Sequence, residues 1–262
     1  MHTVRDVAIA PDHIPARVYR PVAGPTAMVV YLHGGGWVTG DLNYSDEICR
    51  LIAEQAGCEV ISVGYRLAPE HRFPAAVEDS YAALVWAAEH ATELGAGGPA
   101  GVMGESAGGN LCAVLCLLAR DRGGPALSHQ VLLYPATDMT AEHPATARTP
   151  FLSGPEMLAY HRHYLGGADP ADSRVSPLLA GDHTGLPPAL IQVGEHDPLR
   201  GDGVRYAAAL RDAGVPVRLT EYVGMPHGYL NFPGLCRSAA QALAEICAEQ
   251  KAALVRPAAV GA

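Results

Sequence analysis

Short apolar runs rich in β-branched residues alternate with longer stretches of helical period along most of this chain, and this alternation constrains the fold more than any other feature. It predicts an α/β fold with a mostly parallel eight-stranded sheet and helices on both faces. The expected strands are Val4–Ala10, Ala16–Arg20, Ala27–His33, Cys58–Gly64, Ala100–Gly104, Gln130–Tyr134, Ala189–Gly194 and Pro216–Tyr222. No helical stretch separates the first two, so they are expected to pair antiparallel at one edge.

The expected helices carry apolar residues at spacings of three and four. They are Ser45–Gln55, Pro74–Leu94, Ala107–Arg120, Gly203–Asp212 and Leu235–Ala253. In Pro74–Leu94 the proline suits a first helical turn, and the following Gly95 suits a C-terminal cap.

One segment, from about residue 137 to 187, interrupts the alternation. It is rich in Pro, Gly, His and Asp, has one short helical stretch near Pro155–Leu165, and is too long for an ordinary loop between two elements. The length of the chain favours a single domain over residues 1–262. We expect this segment to rise above the sheet as a cap-like excursion that covers an active site.

The charge balance excludes two classes of partner. The 262 residues include 18 Lys and Arg against 27 Asp and Glu, a net charge of −9, and no basic run occurs. Nucleic acid and membrane surfaces are therefore not expected partners. Met1 to Arg20 lacks the apolar stretch of a signal peptide, and the apolar run Leu111 to Ala119 is about half a membrane-spanning helix. A cytoplasmic protein is expected.

The cysteines lie in apolar segments and are expected to be reduced, packed thiols. They are Cys49, Cys58, Cys112, Cys116, Cys236 and Cys247. Neither a Cys-x-x-Cys pair nor a His-Glu-x-x-His run is present, so no metal site is predicted.

The pentapeptide Gly104–Gly108, Gly-Glu-Ser-Ala-Gly, lies between a predicted strand and a predicted helix, which is the context of a nucleophile elbow. The tight turn strains Ser106, and the flanking glycines avoid the clashes that side chains would make. The Ser106 hydroxyl then stands at a helix N-terminus, whose dipole favours nearby negative charge. Taken alone, the motif is a moderate signal, and the alternative is a plain glycine-rich turn.

A second motif favours the catalytic interpretation. His33–Trp37, His-Gly-Gly-Gly-Trp, follows a predicted strand and matches the loop that supplies one side of an oxyanion hole. Such a loop needs small residues because its backbone amides must approach the substrate oxygen to about 2.7–3.1 Å. The amides of Gly35, Gly36 and Ala107 are the predicted oxyanion hole, and Trp37 and Glu105 are predicted to contact substrate. The alternative is a flexible glycine turn.

A serine nucleophile needs a base, and the base needs an orienting carboxylate. In the order Ser, acid, His, Asp197 follows a predicted strand, and His227 is the only histidine after it. Asp138 and Glu195 remain alternative acids, because Asp138 also follows a strand and Glu195 is two residues from Asp197. The remaining histidines, including His161, His163 and His196, are interpreted as surface, rim or structural residues.

Together these residues resemble the hormone-sensitive lipase family of α/β-hydrolases, in its bacterial esterase branch. The resemblance spans nearly the whole chain. It rests on the segments His33–Trp37, Tyr65–Glu70, Phe73–Ala76, Gly104–Gly109, Ser176–Leu178, Leu186–Ala189, Asp197–Leu199 and His227–Gly228.

The resemblance implies an α/β-hydrolase fold and hydrolysis of short to medium acyl esters through an acyl-enzyme, with no metal or cofactor. It also implies structural roles for Glu70 and Asp79. Two departures stand out. The first strand begins almost at Met1, where family members usually carry cap helices, so a reduced cap is expected, with an open mouth that a homodimer partner would cover. Glu105 stands where relatives often have Asp or Thr.

Other functions fit the same residues. An amidase, an arylformamidase or a metabolite deacetylase would use the same triad. A triacylglycerol lipase is a further alternative, against which the missing N-terminal cap and the absence of a long apolar lid argue. A non-catalytic small-molecule receptor of this fold would have lost the histidine that is present here as His227. A carboxylesterase acting on a small-molecule ester is the leading hypothesis.

Overall fold

The computed structural model describes residues 1–24, 26–141, 148–232 and 234–254. Its strands are β1 (Thr3–Ile9), β2 (Ile14–Arg20), β3 (Thr26–Leu32), β4 (Glu59–Val63), β5 (Ala96–Glu105), β6 (Leu127–Leu133), β7 (Arg148–Thr149), β8 (Leu152–Ser153), β9 (Ala189–His196) and β10 (Val217–Pro226). Its helices are α1 (Asp46–Ala56), α2 (Ala75–Glu89), α3 (Ala91–Leu94), α4 (Ala107–Asp121), α5 (Gly154–Leu165), α6 (Arg200–Asp212) and α7 (Arg237–Leu254).

Eight of these strands form one sheet, in the order β1-β2-β4-β3-β5-β6-β9-β10. Strand β2 pairs antiparallel with both β1 and β4, and the remaining pairings are parallel. The predicted α/β architecture and the antiparallel edge are confirmed. Because parallel strands end at the same edge of a sheet, β5, β9 and β10 deliver the residues that follow them to one side of the molecule.

The two faces of the sheet are covered by different helices. Buried residues of α1 and α7 pack on one face, whereas those of α2, α4 and α6 pack on the other. Strands β3 and β4 are buried along their whole length, as expected of central strands covered on both sides. A fully buried Ile or Leu in these layers contributes about 1.5–3 kcal/mol.

The helix predicted over Pro74–Leu94 is divided in the structure. Helix α2 ends at Glu89, and a single further turn, α3, runs from Ala91 to a left-handed Gly95. The predicted cap at Gly95 is therefore confirmed, while the unbroken helix is wrong. The break could not be predicted from the sequence, because it lies at His90 and neither Gly nor Pro stands beside that residue.

The apolar run Leu111 to Ala119 lies within α4, where it is almost completely buried between β5, β6 and α2. No helix in the described ranges is long and apolar enough to cross a membrane. All six cysteines are free thiols, and five of them are buried.

Asp79 on α2 ties down the segment that follows β4. Its carboxylate accepts the Arg66 backbone amide at 2.8 Å and pairs with the Arg66 guanidinium at 2.7 Å. Glu70 is exposed and makes no hydrogen bond to the described residues. The structural role implied for Asp79 thus has a physical basis here, and that of Glu70 has none.

Glu59 is a buried carboxylate at the start of β4. Its side chain is 0% exposed, and neither oxygen has a hydrogen-bond partner among the described residues. Burial raises the pKa of Glu59 to about 7, against a smaller lowering by Arg20 and Arg5. The folded protein therefore holds a proton here between about pH 4.5 and 7 that the unfolded chain releases, so stability from this group falls as pH rises through that window.

Glu59→Gln is expected to stabilise the protein more at pH 8 than at pH 5, because it removes a carboxylate that costs most when ionised. The change in the free energy of unfolding caused by the substitution should become more favourable by about 2 kcal/mol between these pH values. Urea unfolding at both pH values measures this. An equal effect at pH 5 and pH 8 would contradict the assignment.

Candidate active site

Three residues singled out in the sequence meet at the carboxyl edge of the sheet. Ser106 joins β5 to α4, Asp197 follows β9, and His227 follows β10. Strands β5, β9 and β10 run parallel and lie within four neighbouring positions of the sheet. Their carboxyl ends therefore lie close together, although Ser106 and His227 are 121 positions apart in sequence.

Ser106 occupies a strained turn. Its backbone has φ 53° and ψ −118°, a conformation that non-glycine residues rarely adopt. Its amide donates to the Leu133 carbonyl at 2.8 Å. A Cβ on Gly108 would collide with the backbone carbonyls of Leu32 and His33, so the last glycine of the motif is required by close packing against β3. The turn thereby presents the serine hydroxyl at the N-terminus of α4.

A hydrogen-bond chain links the three side chains. His227 Nε2 lies 2.9 Å from Ser106 Oγ, and His227 Nδ1 lies 2.8 Å from Asp197 Oδ2. A carboxylate can only accept, so a neutral imidazole carries its proton on Nδ1 and leaves Nε2 free to accept from serine. The second Asp197 oxygen accepts the Leu199 amide at 2.8 Å, which fixes the carboxylate plane.

The alternative acids lie elsewhere. Asp138 accepts the amide and hydroxyl of Thr140 and pairs with Arg205, and Glu195 accepts the Gly224 amide. His196 is exposed and lies 3.9 Å from Glu195. Neither Asp138 nor Glu195 contacts His227, so the geometry favours Asp197.

The predicted oxyanion amides border the serine. Gly35 and Gly36 have φ of 107° and 60°, both in the left-handed region, and a Cβ on Gly36 would enter the ring of Tyr160. Val38 and Thr39 donate their amides to the Gly35 carbonyl, which closes the loop. Within the described residues the amides of Gly35, Gly36 and Ala107 donate to no protein group, so all three are available to a ligand.

A pocket of about 490 Å³ opens above Ser106. Much of its wall is apolar or aromatic. The lining residues are Gly34, Gly35, Gly36, Trp37, Thr39, Gly40, Tyr44, Glu105, Ser106, Tyr134, Ala136, Phe151, Leu152, Met157, Tyr160, His161, Leu199, His227, Gly228, Asn231 and Phe232. In the described part of this wall neither Lys nor Arg occurs, so a bound carboxylate would find no permanently charged side chain to pair with.

The two residues predicted to contact substrate, Trp37 and Glu105, are almost completely buried. Trp37 lines the pocket but is 2% exposed and stacks on Tyr164 at 4.5 Å between ring centroids. Glu105 is 1% exposed, and its carboxylate accepts the hydroxyls of Tyr134 at 2.8 Å and Tyr31 at 3.2 Å. Little of the Glu105 carboxylate is therefore open to a substrate.

Several pocket residues were not anticipated from the sequence. Phe151 and Phe232 lie at the mouth, 65% and 37% exposed, with ring centroids 5.2 Å apart. Tyr134 packs edge-on against the His227 ring at 4.9 Å. Positive φ angles at Trp37, Ser106, Tyr134 and Phe151 are a structural mark of the site, because strained non-glycine residues cluster where function requires them.

The described residues contain no cluster of three or more His, Cys, Asp or Glu side chains placed to bind a metal ion. The site brings together a serine hydroxyl, an imidazole and backbone amides that donate to no described protein group.

Comparison with known proteins identifies relatives that match more than nine tenths of this chain. The carboxylic ester hydrolase LipN of Mycobacterium tuberculosis is 49% identical over 259 residues, which cover 93% of this chain and 68% of that protein. The carboxylesterase NlhH of the same species is 46% identical over 252 residues, covering 92% of this chain and 79% of that protein.

Solved structures agree with the sequence relatives. The structure of EstE1, a thermostable carboxylesterase cloned from a metagenomic library, superposes with a TM-score of 0.91 at 39% identity and covers 97% of this chain and 89% of that one. A family model described as the alpha/beta hydrolase fold matches residues 29–231. The chain belongs to this α/β-hydrolase family, in its hormone-sensitive lipase-like esterase group.

Proposed function

We propose that this protein is a serine carboxylesterase that hydrolyses short to medium acyl esters through an acyl-enzyme on Ser106. The observation that carries the proposal is the hydrogen-bond chain from Ser106 through His227 to Asp197, set beside three free backbone amides. The names of LipN and NlhH as ester hydrolases support the same reaction.

The geometry supports a two-step reaction. His227 Nε2 takes the Ser106 proton as Oγ attacks the ester carbonyl, and the amides of Gly35, Gly36 and Ala107 stabilise the tetrahedral oxyanion. Asp197 stabilises the imidazolium, which then protonates the departing alcohol. Water next gives its proton to His227 and attacks the acyl-serine, and the carboxylic acid leaves as Ser106 recovers its proton.

The pocket wall favours an uncharged substrate. Its aromatic and aliphatic side chains gain from burying apolar groups, and the lack of Lys and Arg in its described part disfavours esters that carry a free carboxylate. Phe151, Met157 and Tyr160 come from the segment between β6 and β9, of which residues 142–147 lie outside the described residues. Their position supports the proposal that this segment covers the site.

Helix α5 places part of this cover by a local device. Ser153 accepts the Glu156 amide, and the Glu156 carboxylate accepts the Ser153 amide at 2.8 Å, a capping box that fixes where the helix begins. Met157, Tyr160 and His161 then project along one side of the helix toward Ser106, at the three- and four-residue spacing of a helical face.

A fluorophosphonate probe tests the proposed function. The activated Ser106 is expected to react covalently and stoichiometrically, and mass spectrometry of the digest should place the adduct on that residue. Turnover of phenyl acetate should then exceed that of acetanilide, the amide with the same acetyl group, and that of formanilide. An unlabelled, folded protein would indicate a non-catalytic receptor, and a preference for the anilides would indicate an amidase or arylformamidase.

A further inference from the structure

Glu105 lies directly beside the nucleophile Ser106. Its carboxylate is buried and has no role in the reaction described above. It precedes Ser106 at the end of β5, and its side chain is 1% exposed. Burying a carboxylate is unfavourable unless it is hydrogen-bonded or paired. Its surroundings therefore indicate whether it has a task.

The contacts of Glu105 lead to both halves of the catalytic machinery. Tyr134 donates its hydroxyl to Oε2 at 2.8 Å, and the ring of the same tyrosine packs edge-on against His227. On the other side, a Cβ on Gly34 would lie 3.2 Å from Glu105 Cγ, so the Glu105 stem lies against the oxyanion loop. Tyr31 supplies a second donor, to Oε1, from β3.

The titratable groups that face Glu105 are Tyr31, Tyr44, Cys49, Tyr65, Tyr134 and His227. Burial raises the pKa of each of these tyrosines and of the cysteine, so they stay neutral. Burial also raises the pKa of Glu105, and the hydroxyls of Tyr134 and Tyr31 together with the attraction of His227 oppose that rise. Within this set, His227 is the group that becomes a cation during the reaction.

We propose that Glu105 is a positioning residue of the active site, whose buried carboxylate stabilises the imidazolium form of His227 from behind while Tyr134 and Gly34 hold it in place. The inference rests on the proposed esterase function. Asp197 touches the imidazole directly at Nδ1, whereas Glu105 acts across the Tyr134 ring. The low dielectric of the site makes such an indirect charge effective.

The test is the pH dependence of kcat/KM for p-nitrophenyl butyrate in Glu105→Gln, which keeps the shape of the side chain and removes its charge. The acidic limb of the profile should move to lower pH by about half to one unit, since protonating His227 is then less favourable. The plateau should fall about tenfold because the imidazolium of the transition state loses support. Glu105→Asp, which keeps a carboxylate, should retain the wild-type limb.

Glu59→Gln is the matched control, because it removes another buried carboxylate of the same sheet. Glu59 lies opposite Met28 in the register of β4 with β3, near the amino ends of these strands and at the edge of the sheet opposite Ser106. Its substitution should leave the acidic limb of the profile unmoved. Tyr134→Phe is a milder second variant should Glu105→Gln fail to fold. The carboxylate then loses a donor and ionises at higher pH, so the limb should move in the same direction by less.

Three outcomes would overturn the inference: an unchanged profile in Glu105→Gln, an equal loss at every pH, or the same displacement in the Glu59 control. The equal loss would mean that Glu105 only supports the fold of the loop. Each of these leaves the proposed function intact, because fluorophosphonate labelling of Ser106 tests that separately.

Discussion

Ser106→Ala is expected to lower kcat for p-nitrophenyl acetate or butyrate by about 10⁵-fold or more, because it removes the hydroxyl that is hydrogen-bonded to His227 and forms the acyl-enzyme. The substitution leaves His227 hydrogen-bonded to Asp197 and leaves the amides of Gly35 and Gly36 in place. Residual turnover would come from those amides and from binding alone. Initial rates at saturating substrate, with fluorophosphonate labelling in parallel, measure the loss.

The backbone at this position dictates a second variant. Ser106 has φ 53°, where alanine is strained by roughly 1 kcal/mol, whereas glycine adopts that conformation freely. Ser106→Gly should therefore be equally inactive with an undisturbed turn. Ser238→Ala, on α7 away from the pocket, should keep wild-type rates. Turnover at even a tenth of the wild-type rate in both Ser106 variants would remove this residue from the role of nucleophile.

The parts of the site that lie in the turns after strands could be predicted from the sequence. Ser106 and Gly36 lie in motifs whose glycines leave no room for a Cβ, because backbone atoms approach Gly108 and the Tyr160 ring approaches Gly36, and this requirement leaves a recognisable sequence pattern. Asp197 and His227 follow strands that the apolar pattern located to within a few residues. A local constraint on backbone geometry therefore marks the two glycine-containing turns, whereas Asp197 and His227 could be found from the order Ser, acid, His along the chain.

The walls of the pocket could not be predicted in the same way. The sequence predicts Tyr134 as the last residue of a strand, but β6 ends one residue earlier, at Leu133. Tyr134 has a positive φ, and its ring lies against His227. Phe151 and Phe232 meet across 81 positions, and Phe151 lies in the segment from about residue 137 to 187, where the alternation of strands and helices is interrupted. Side chains of this kind are chosen by what they face across space, and an aromatic residue alone does not reveal its partner.

The carboxyl end of β10 shows the same limit on a smaller scale. The strand was expected to stop at Tyr222, but it continues to Pro226 after an irregularity in its register with β9. A bulge inserts residues without changing the apolar pattern that precedes it. The extension matters because it ends directly before His227, which lies within hydrogen-bond distance of Ser106.

Asp197→Asn is expected to lower kcat by about 10⁴-fold with little change in stability. Asp197 Oδ1 accepts the Leu199 amide, so an asparagine keeps its oxygen there and turns its NH₂ group toward His227 Nδ1. Two donors cannot face each other, and the imidazole must therefore move its proton to Nε2. In that tautomer Nε2 can no longer accept the Ser106 proton, so the nucleophile stays inactive although every atom is in place.

Asp138→Asn is the matched control, because Asp138 is one of the two alternative acids and also follows a strand of the sheet. Its oxygens are held by Thr140 and Arg205, away from His227, so its substitution should change kcat by less than about threefold. Rates measured from pH 6 to 9 separate the two variants, since a tautomer fault cannot be rescued by raising the pH. Comparable losses in both variants, or recovery of Asp197→Asn at high pH, would contradict the role of Asp197 as the residue that orients His227.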